Sequence, residues 1–318
     1  MMNPELQLTH WQGVAELSVQ DTFTPISILP PNESAGSPLR VLWAEIGHGP
    51  FSSPFFDQDL TNRLANARWF VSLPDAILPY AFRSPGVPLR GAILHMSRCG
   101  STLARNLLGA TDRSLVMSEA GLINSAIAQF TNQSLQPIFS AFLRPDGDRL
   151  QRSYLKCTSW NVLAADRILA SFPGLPLVFI QRHSLEVLVS LSRTPGWGEG
   201  FPGGMNSPEL EHAENPIERI AIRLRDFLLA ARRLEQEGRC RIVKYPEIIS
   251  RFIDGDLPEY FGYDVDEATR SRMLRVAEFN SKNPQNRFRA DSAEKQDVAG
   301  AAPEIQRVHD RYLRAFDR

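Results

Sequence analysis

The sequence predicts an α/β protein built on a mostly parallel sheet, and three observations carry that expectation. From residue 90 onward, short apolar runs at 92–96, 115–117, 153–157, 177–181 and 241–244 alternate with stretches of helical spacing. Such alternation is that of strands joined by crossover helices, a three-layer α/β/α arrangement. The first of these runs leads directly into Ser97-Arg98-Cys99-Gly100-Ser101-Thr102, after which apolar residues return at helical spacing from Leu103 to Leu108. The run at 177–180 ends beside Arg182, and Val187, Leu188 and Leu191 then fall on a helical stripe, with Ser190 eight residues after the arginine.

The elements before residue 89 are less regular. Residues 26–39 read as a loop, because Pro30-Pro31, Asn32 and Gly36 punctuate them. Residues 40–46 read as a strand. Residues 54–66 read as a helix with Phe55, Phe56, Leu60 and Leu64 apolar, and the phenylalanine pair reads as core packing in preference to an acceptor lid. The expected organisation is an N-terminal extension, 1–88, packing on a nucleotide-binding domain, 89–318. Within that domain, residues 194–216 form a long glycine- and proline-rich stretch, expected to be a mobile loop. Trp197, Phe201 and Met205 are candidates to cover an acceptor, with Gly198, Gly200, Gly203 and Gly204 as hinges. Glu209, Glu211 and Glu214 would suit a cationic acceptor. A surface insertion without function is the alternative.

Composition narrows the function classes. The 318 residues are 43% hydrophobic and carry a net charge of −1, enough apolar content for a large core and no basic footprint for nucleic acid. Cys99, Cys157 and Cys240 form neither a metal pattern nor a disulfide framework. No signal-peptide pattern opens the chain, and no apolar run is long enough for a membrane span, so a cytoplasmic location is expected.

The loop at 97–102 has the make-up of a phosphate cradle. A strand, a small-residue turn and a helix N-terminus aim backbone amides at an anion, and Arg98 adds a permanent charge. The loop lacks the G-x-x-x-x-G-K-[ST] pattern, so the usual lysine and metal-binding hydroxyl are not in their usual places and no metal is called for. Arg182 and Ser190 form a second grip at the end of another strand, where open α/β sheets bind ligands. Two grips on two strands suggest a nucleotide with two separate phosphate groups. The bland alternatives, to which a functional role is preferred for Arg182, Glu119 and Lys156, are Arg182 as an ion-pair partner, Ser190 as bonding the previous helical turn, Glu119 as a helix-start carboxylate and Lys156 as a solvated strand-end lysine. His95 reads as a packed histidine and Cys99 as a small filler. His183 is assigned no role.

The loop Ser97-Arg98-Cys99-Gly100-Ser101-Thr102-Leu103, the Arg182/Ser190 pair and Lys244-Tyr245-Pro246-Glu247-Ile248, in that order, resemble the signatures of sulfotransferases that use 3′-phosphoadenosine-5′-phosphosulfate (PAPS). The resemblance covers 89–295 and is nearer the tyrosylprotein, carbohydrate and bacterial small-molecule branches than the cytosolic one. It implies a P-loop-like sulfotransferase fold, with the 5′-phosphosulfate on Arg98, Cys99, Gly100, Ser101, Thr102 and Leu103. The 3′-phosphate falls to Arg182 and Ser190, and Tyr245 lies near the adenine. By the same resemblance Glu119, about twenty residues after Arg98, matches the general base, and Lys156 matches a strand-end catalytic lysine. The family's basic loop over the 3′-phosphate falls in 279–295, after an amphipathic stretch at 268–279. Lys282 is the first candidate there, with Arg287, Arg289 and Lys295 behind it. A charged solvated loop is the alternative.

The chemistry fits those residue types. As a sulfuryl group leaves its phosphate, negative charge grows on the phosphate oxygen, and fixed cations such as Arg98 and Lys156 stabilise it. A carboxylate such as Glu119 takes the proton of the attacking hydroxyl or amine. The expected protein is therefore a PAPS-dependent, metal-free sulfotransferase of bacterial secondary metabolism, acting on a small-molecule acceptor, with a homodimer left open. The alternatives are an ATP-dependent small-molecule kinase with a degenerate phosphate loop and a non-catalytic nucleotide-binding module.

Overall fold

The computed structural model describes residues 23–31, 38–46, 53, 55–64, 67–83, 86–130, 134–143, 150–199, 201–202, 207–281, 283–287, 292–300 and 302–317. In chain order the elements are β1 (Phe23–Leu29), β2 (Arg40–Glu45), α1 (Phe56–Leu64), β3 (Trp69–Ser72), α2 (Ile77–Arg83), β4 (Leu89–His95), α3 (Ser101–Gly109), β5 (Ser114–Ser118), α4 (Gly121–Gln129), α5 (Gln136–Phe142), β6 (Arg152–Lys156), α6 (Ala165–Ser171), β7 (Leu177–Gln181), α7 (Ser184–Ser192), α8 (Pro216–Gln236), β8 (Arg241–Lys244), α9 (Ile248–Ile253), α10 (Leu257–Phe261), α11 (Glu267–Ala277), β9 (Phe279–Asn280), β10 (Asn283–Arg287), α12 (Ser292–Gly300) and α13 (Pro303–Tyr312).

The chain divides into two compact units, Met1–Pro88 with Ala120–Gln151, and Leu89–Glu119 with Arg152–Arg318. The first holds an antiparallel sheet in the order β1-β2-β3, with α4 and α5 against β1. Its aromatics form the core. Trp43, fully buried, donates from Nε1 to Ser72 Oγ at 2.8 Å and stacks on Phe70 at 5.7 Å. Phe56 meets Phe142 edge-on at 4.9 Å, as expected of a core residue. The loop expected over 26–39 is corrected in its first part, since Ile26–Leu29 lie in β1. The prolines explain the difference. Pairing with β2 slips register between Pro25 and Ser27, so the proline sits at a bulge where its missing N–H is tolerated, and Pro30 follows the last strand residue.

The second unit carries a five-stranded parallel sheet in the order β5-β6-β4-β7-β8, flanked by helices. All five residues of β7 are buried, the continuous apolar run of a parallel strand covered on both faces. The chain leaves β4 toward β5 and leaves β7 toward β8, in opposite directions. Between β4 and β7 lies the switch point, where the carboxyl ends of strands open a crevice. The loop after β4 contains Arg98, and the turn after β7 contains Arg182.

Candidate active site

The loop after β4 is built from unusual backbone. Ser97, Arg98 and Gly100 have φ of 71°, 48° and 87°. Non-glycine residues in the left-handed region cost energy and persist where the surroundings hold them. Runs of this kind turn successive amides to one side, an anion-binding concavity. Gly100 caps α3 without a side chain: the Leu103 amide donates to the Gly100 carbonyl at 2.9 Å, and no side chain caps the first turn. Ser101 and Thr102 are buried there and Leu103 is half-buried. Cys99 is fully buried and its thiol is pushed up to about 11 by that burial, which suits a filler and rules out a ready thiolate.

His95 holds this loop to the sheet. The Ser97 amide donates to its Nδ1 at 3.0 Å, so the proton is assigned to Nε2, which donates to the Cys157 carbonyl at 2.8 Å. Burial, and then the nearby Lys156 ammonium, lower its pKa, so the ring stays neutral.

Glu119 and Lys156 stand at the ends of the neighbouring strands β5 and β6. The Lys156 ammonium is ion-paired with the Glu119 carboxylate, and the Glu119 amide donates to the Lys156 carbonyl at 2.7 Å. Glu119 itself is left-handed, with φ 49°. Lys156 is fully buried, and Glu119 keeps 23% of its side chain exposed. Burial alone would raise the Glu119 pKa, but Lys156 and the His95 N–H outweigh it and bring the carboxyl down to about 2.

Arg182, 8% exposed, directs Nε and Nη2 to the Glu186 carboxylate at 2.6 Å and lies over the Tyr245 ring at 4.6 Å. The same ring lies against Gly100, where a Cβ would come within 2.6 Å of it. Gly100, Tyr245 and Arg182 therefore form one contiguous stack between the two turns. Arg98, exposed, donates to Thr194 Oγ1 at 3.3 Å, and that hydroxyl donates to the Ser190 carbonyl at 3.2 Å. The Ser190 side chain is half-buried on α7. Lys282 and Arg289 lie outside the described residues, but Asn106 on α3 donates to the Ser281 carbonyl at 3.1 Å and holds the preceding residue against that helix. Arg287 is exposed and Lys295 half-buried.

In the 194–216 stretch, Trp197 and Phe201 pack on each other at 5.4 Å and on Phe227 of α8. Met205, Gly200, Gly203 and Gly204 lie outside the described residues. Glu209 pairs with Arg225. A cavity of about 380 Å³ opens beside Thr194, lined also by Trp197, Glu199, Arg219 and Arg223.

Two partners escaped the reading of the motifs. Glu186 lies four residues after Arg182, a spacing that signals a helical ion pair. Thr194, one turn after Ser190, carries no comparable signal.

A left-handed turn, an arginine over an aromatic ring and a buried lysine–carboxylate couple, all at the carboxyl ends of parallel strands, define an α/β protein whose charged groups gather at one end of its sheet. No protein-family model and no curated protein sequence matches the chain. Solved structures similar to it are bacterial sulfotransferases. Sulfotransferase STF9 from Mycobacterium avium is 15% identical over 75% of this chain and 79% of that one, with a TM-score of 0.44. The sulfotransferase domain of the Synechococcus PCC 7002 olefin synthase is 14% identical over 72% and 95%, with a TM-score of 0.42. The sulfotransferase domain of the curacin biosynthetic pathway is 12% identical over 71% and 97%, with a TM-score of 0.38.

Proposed function

We propose that the protein is a sulfotransferase that moves a sulfuryl group from PAPS to a hydroxyl or amine of a small-molecule acceptor. The observation that carries this reading is the buried Lys156–Glu119 couple beside the left-handed loop 97–100. The donor fits the residues present. The uncapped first turn of α3 and Arg98 suit the 5′-phosphosulfate, and Arg182 with Ser190 suits the 3′-phosphate. Tyr245, already under Arg182, offers a ring at the adenine end. Bound there, PAPS supplies the sulfuryl group and a phosphate leaving group.

Lys156 and Glu119 divide the remaining work. At rest each satisfies the other. An anion in the loop draws the Lys156 ammonium toward it and weakens its hold on the carboxylate. Burial, the largest influence on Glu119, then raises its basicity. The carboxylate becomes able to accept the acceptor's proton only when the donor is in place. The 380 Å³ cavity beside Thr194 is a candidate acceptor space, one hydrogen bond from Arg98.

The test is calorimetry with 3′,5′-ADP, AMP and ATP, each with and without Mg²⁺. The reading expects 3′,5′-ADP to bind most tightly, without metal, and to weaken at least tenfold in Arg182→Ala. Mg²⁺-dependent binding of ATP with no response to 3′,5′-ADP would replace it with a kinase. Tight 3′,5′-ADP binding together with full biological activity in a Glu119→Gln/Lys156→Met variant would replace it with a non-catalytic module.

A further inference from the structure

His183, His309 and Asp317 converge just ahead of α7 and take no part in the donor site described above. His183 is the residue before that helix, His309 lies on α13 and Asp317 follows the last helical turn of the chain. His309 Nε2 is 2.8 Å and His183 Nδ1 is 3.4 Å from the same atom, Asp317 Oδ2. The three donor atoms all lie within 4.8 Å of one another. The imidazoles face each other at 6.0 Å with 18° between their planes.

The surroundings orient this group. The Ser184 amide donates to Asp317 Oδ1 at 2.7 Å and its hydroxyl to Oδ2 at 2.7 Å, which fixes the carboxylate on the first turn of α7. Gln181 Nε2 donates to the Phe316 carbonyl at 2.9 Å and holds the preceding residue. His309 is 4% exposed, and its Nδ1 has no hydrogen-bond partner among the described residues, although Asp310 Oδ1 is 3.6 Å away. Ser184 Oγ also lies 3.0 Å from His309 Nε2, so a hydrogen-bonded clasp satisfies that nitrogen but leaves the buried Nδ1 without a partner among the described residues, a costly arrangement.

We propose that His183 Nδ1, His309 Nε2 and Asp317 Oδ2 form a binding site for a divalent ion of the zinc class, with water in the fourth position. Two imidazoles and one carboxylate are the donor set such ions prefer, whereas calcium and magnesium take oxygen sets. Metal–ligand bonds of roughly 2.0–2.2 Å in a tetrahedron put donor atoms about 3.3–3.5 Å apart. The His183–Asp317 separation of 3.4 Å already fits, the 2.8 Å His309 contact opens by a fraction of an ångström as the metal takes the lone pair, and the exposed His183 ring, its nitrogen within 4.8 Å of that of His309, turns to complete the set. The His309 proton then resides on Nδ1 and faces Asp310, the carboxylate–histidine–metal relay that orients many such ligands. The ion joins the C-terminal turn to the residue that follows Arg182. It is a site of positioning and stability, independent of whether the sulfotransferase reading holds.

The experiment titrates tag-free, chelator-treated full-length protein with ZnCl₂ by calorimetry, and with CoCl₂ by visible absorption. One equivalent of zinc with a Kd below about 10 μM, tetrahedral cobalt bands and a melting point higher by a few degrees are expected. His183→Ala, at a side chain already 46% exposed and so tolerant of truncation, weakens zinc at least tenfold. Asp317→Asn does the same, and His212→Ala, an exposed histidine elsewhere, changes nothing. No stoichiometric uptake at 100 μM metal (about ten times that limiting Kd), or equal affinity in His183→Ala and the parent, overturns the proposal.

Discussion

Lys156 and Glu119, 37 residues apart in sequence, meet as a lysine–carboxylate pair at the ends of adjacent strands, with the lysine fully buried and the carboxylate still open to the site. A buried pair of this sort contributes little net stability, because desolvation offsets attraction, yet breaking it is costly.

Removing one partner separates chemistry from folding. Glu119→Gln keeps an acceptor for Lys156 and should lower sulfuryl transfer by about 10²–10⁴-fold while 3′,5′-ADP binds within a few-fold of the parent. Lys156→Met strands a carboxylate that is three-quarters buried, and should cost about 3 kcal/mol in equilibrium urea unfolding. Steady-state kinetics and urea titration on the two variants check both expectations.

The pair also sets a pH dependence. The Glu119 pKa falls from 4.5 to about 2 on folding, so the folded state favours the ionised form. The associated stability is complete above the unfolded pKa and is lost as pH falls through the folded one. Between pH 5 and 2 the parent should lose up to about 3 kcal/mol more than Glu119→Gln. Thermal melts of both across that range read the difference directly. Parallel curves would mean that the carboxylate is not held by Lys156 in solution.

Much of this site was readable in the sequence because its parts are local. All five strands of the parallel sheet fall within three residues of the apolar runs that announce them, most clearly β7, whose five buried residues form the apolar run of a strand covered on both faces. The loop 97–102 is legible because hydroxyls, glycine and arginine fall between an apolar strand run and a helical stripe, all within one short segment. The unreadable parts depend on long-range contacts. β1 was hidden because Pro25 sits at a bulge, which only the pairing with β2 reveals. The packing of Trp197 and Phe201 on Phe227, from another helix, is likewise a contact that sequence spacing does not state. The direct Lys156–Glu119 contact follows from strand order, which motif spacing does not state.

Arg182 presents its guanidinium edge to Glu186 and its face to Tyr245. A lysine can reproduce the charge but neither the fork nor the stacking plane. Arg182→Lys should therefore weaken 3′,5′-ADP nearly as much as Arg182→Ala, about tenfold or more, whereas AMP, which lacks the 3′-phosphate, should lose less than threefold in either. Calorimetric Kd values for the two ligands against the two variants decide it. Equal losses for AMP would mean that Arg182 organises the loop as a whole and does not single out one phosphate.

Gly100 meets two demands at once, and a double-mutant cycle can separate them. Its φ of 87° is one that side chains rarely adopt, and a Cβ would lie 2.6 Å from the Tyr245 ring. Gly100→Ala therefore pays backbone strain of about 1–2 kcal/mol and also forces the ring that supports Arg182 to move. Tyr245→Leu removes the rigid ring, so the larger part of the clash should vanish in the double variant, while the 3.0 Å approach to Ile248 Cδ1 and the backbone part remain. The expected result is that Gly100→Ala is less destabilising in the Tyr245→Leu background by at least 0.5 kcal/mol, about the smallest coupling that such cycles resolve for residues in contact. Binding should behave differently, because both changes disturb the same stack. The double variant should bind 3′,5′-ADP no better than the weaker single one. Additive stability losses in the cycle would show that Gly100 is present for its conformation alone and that its contact with Tyr245 is incidental.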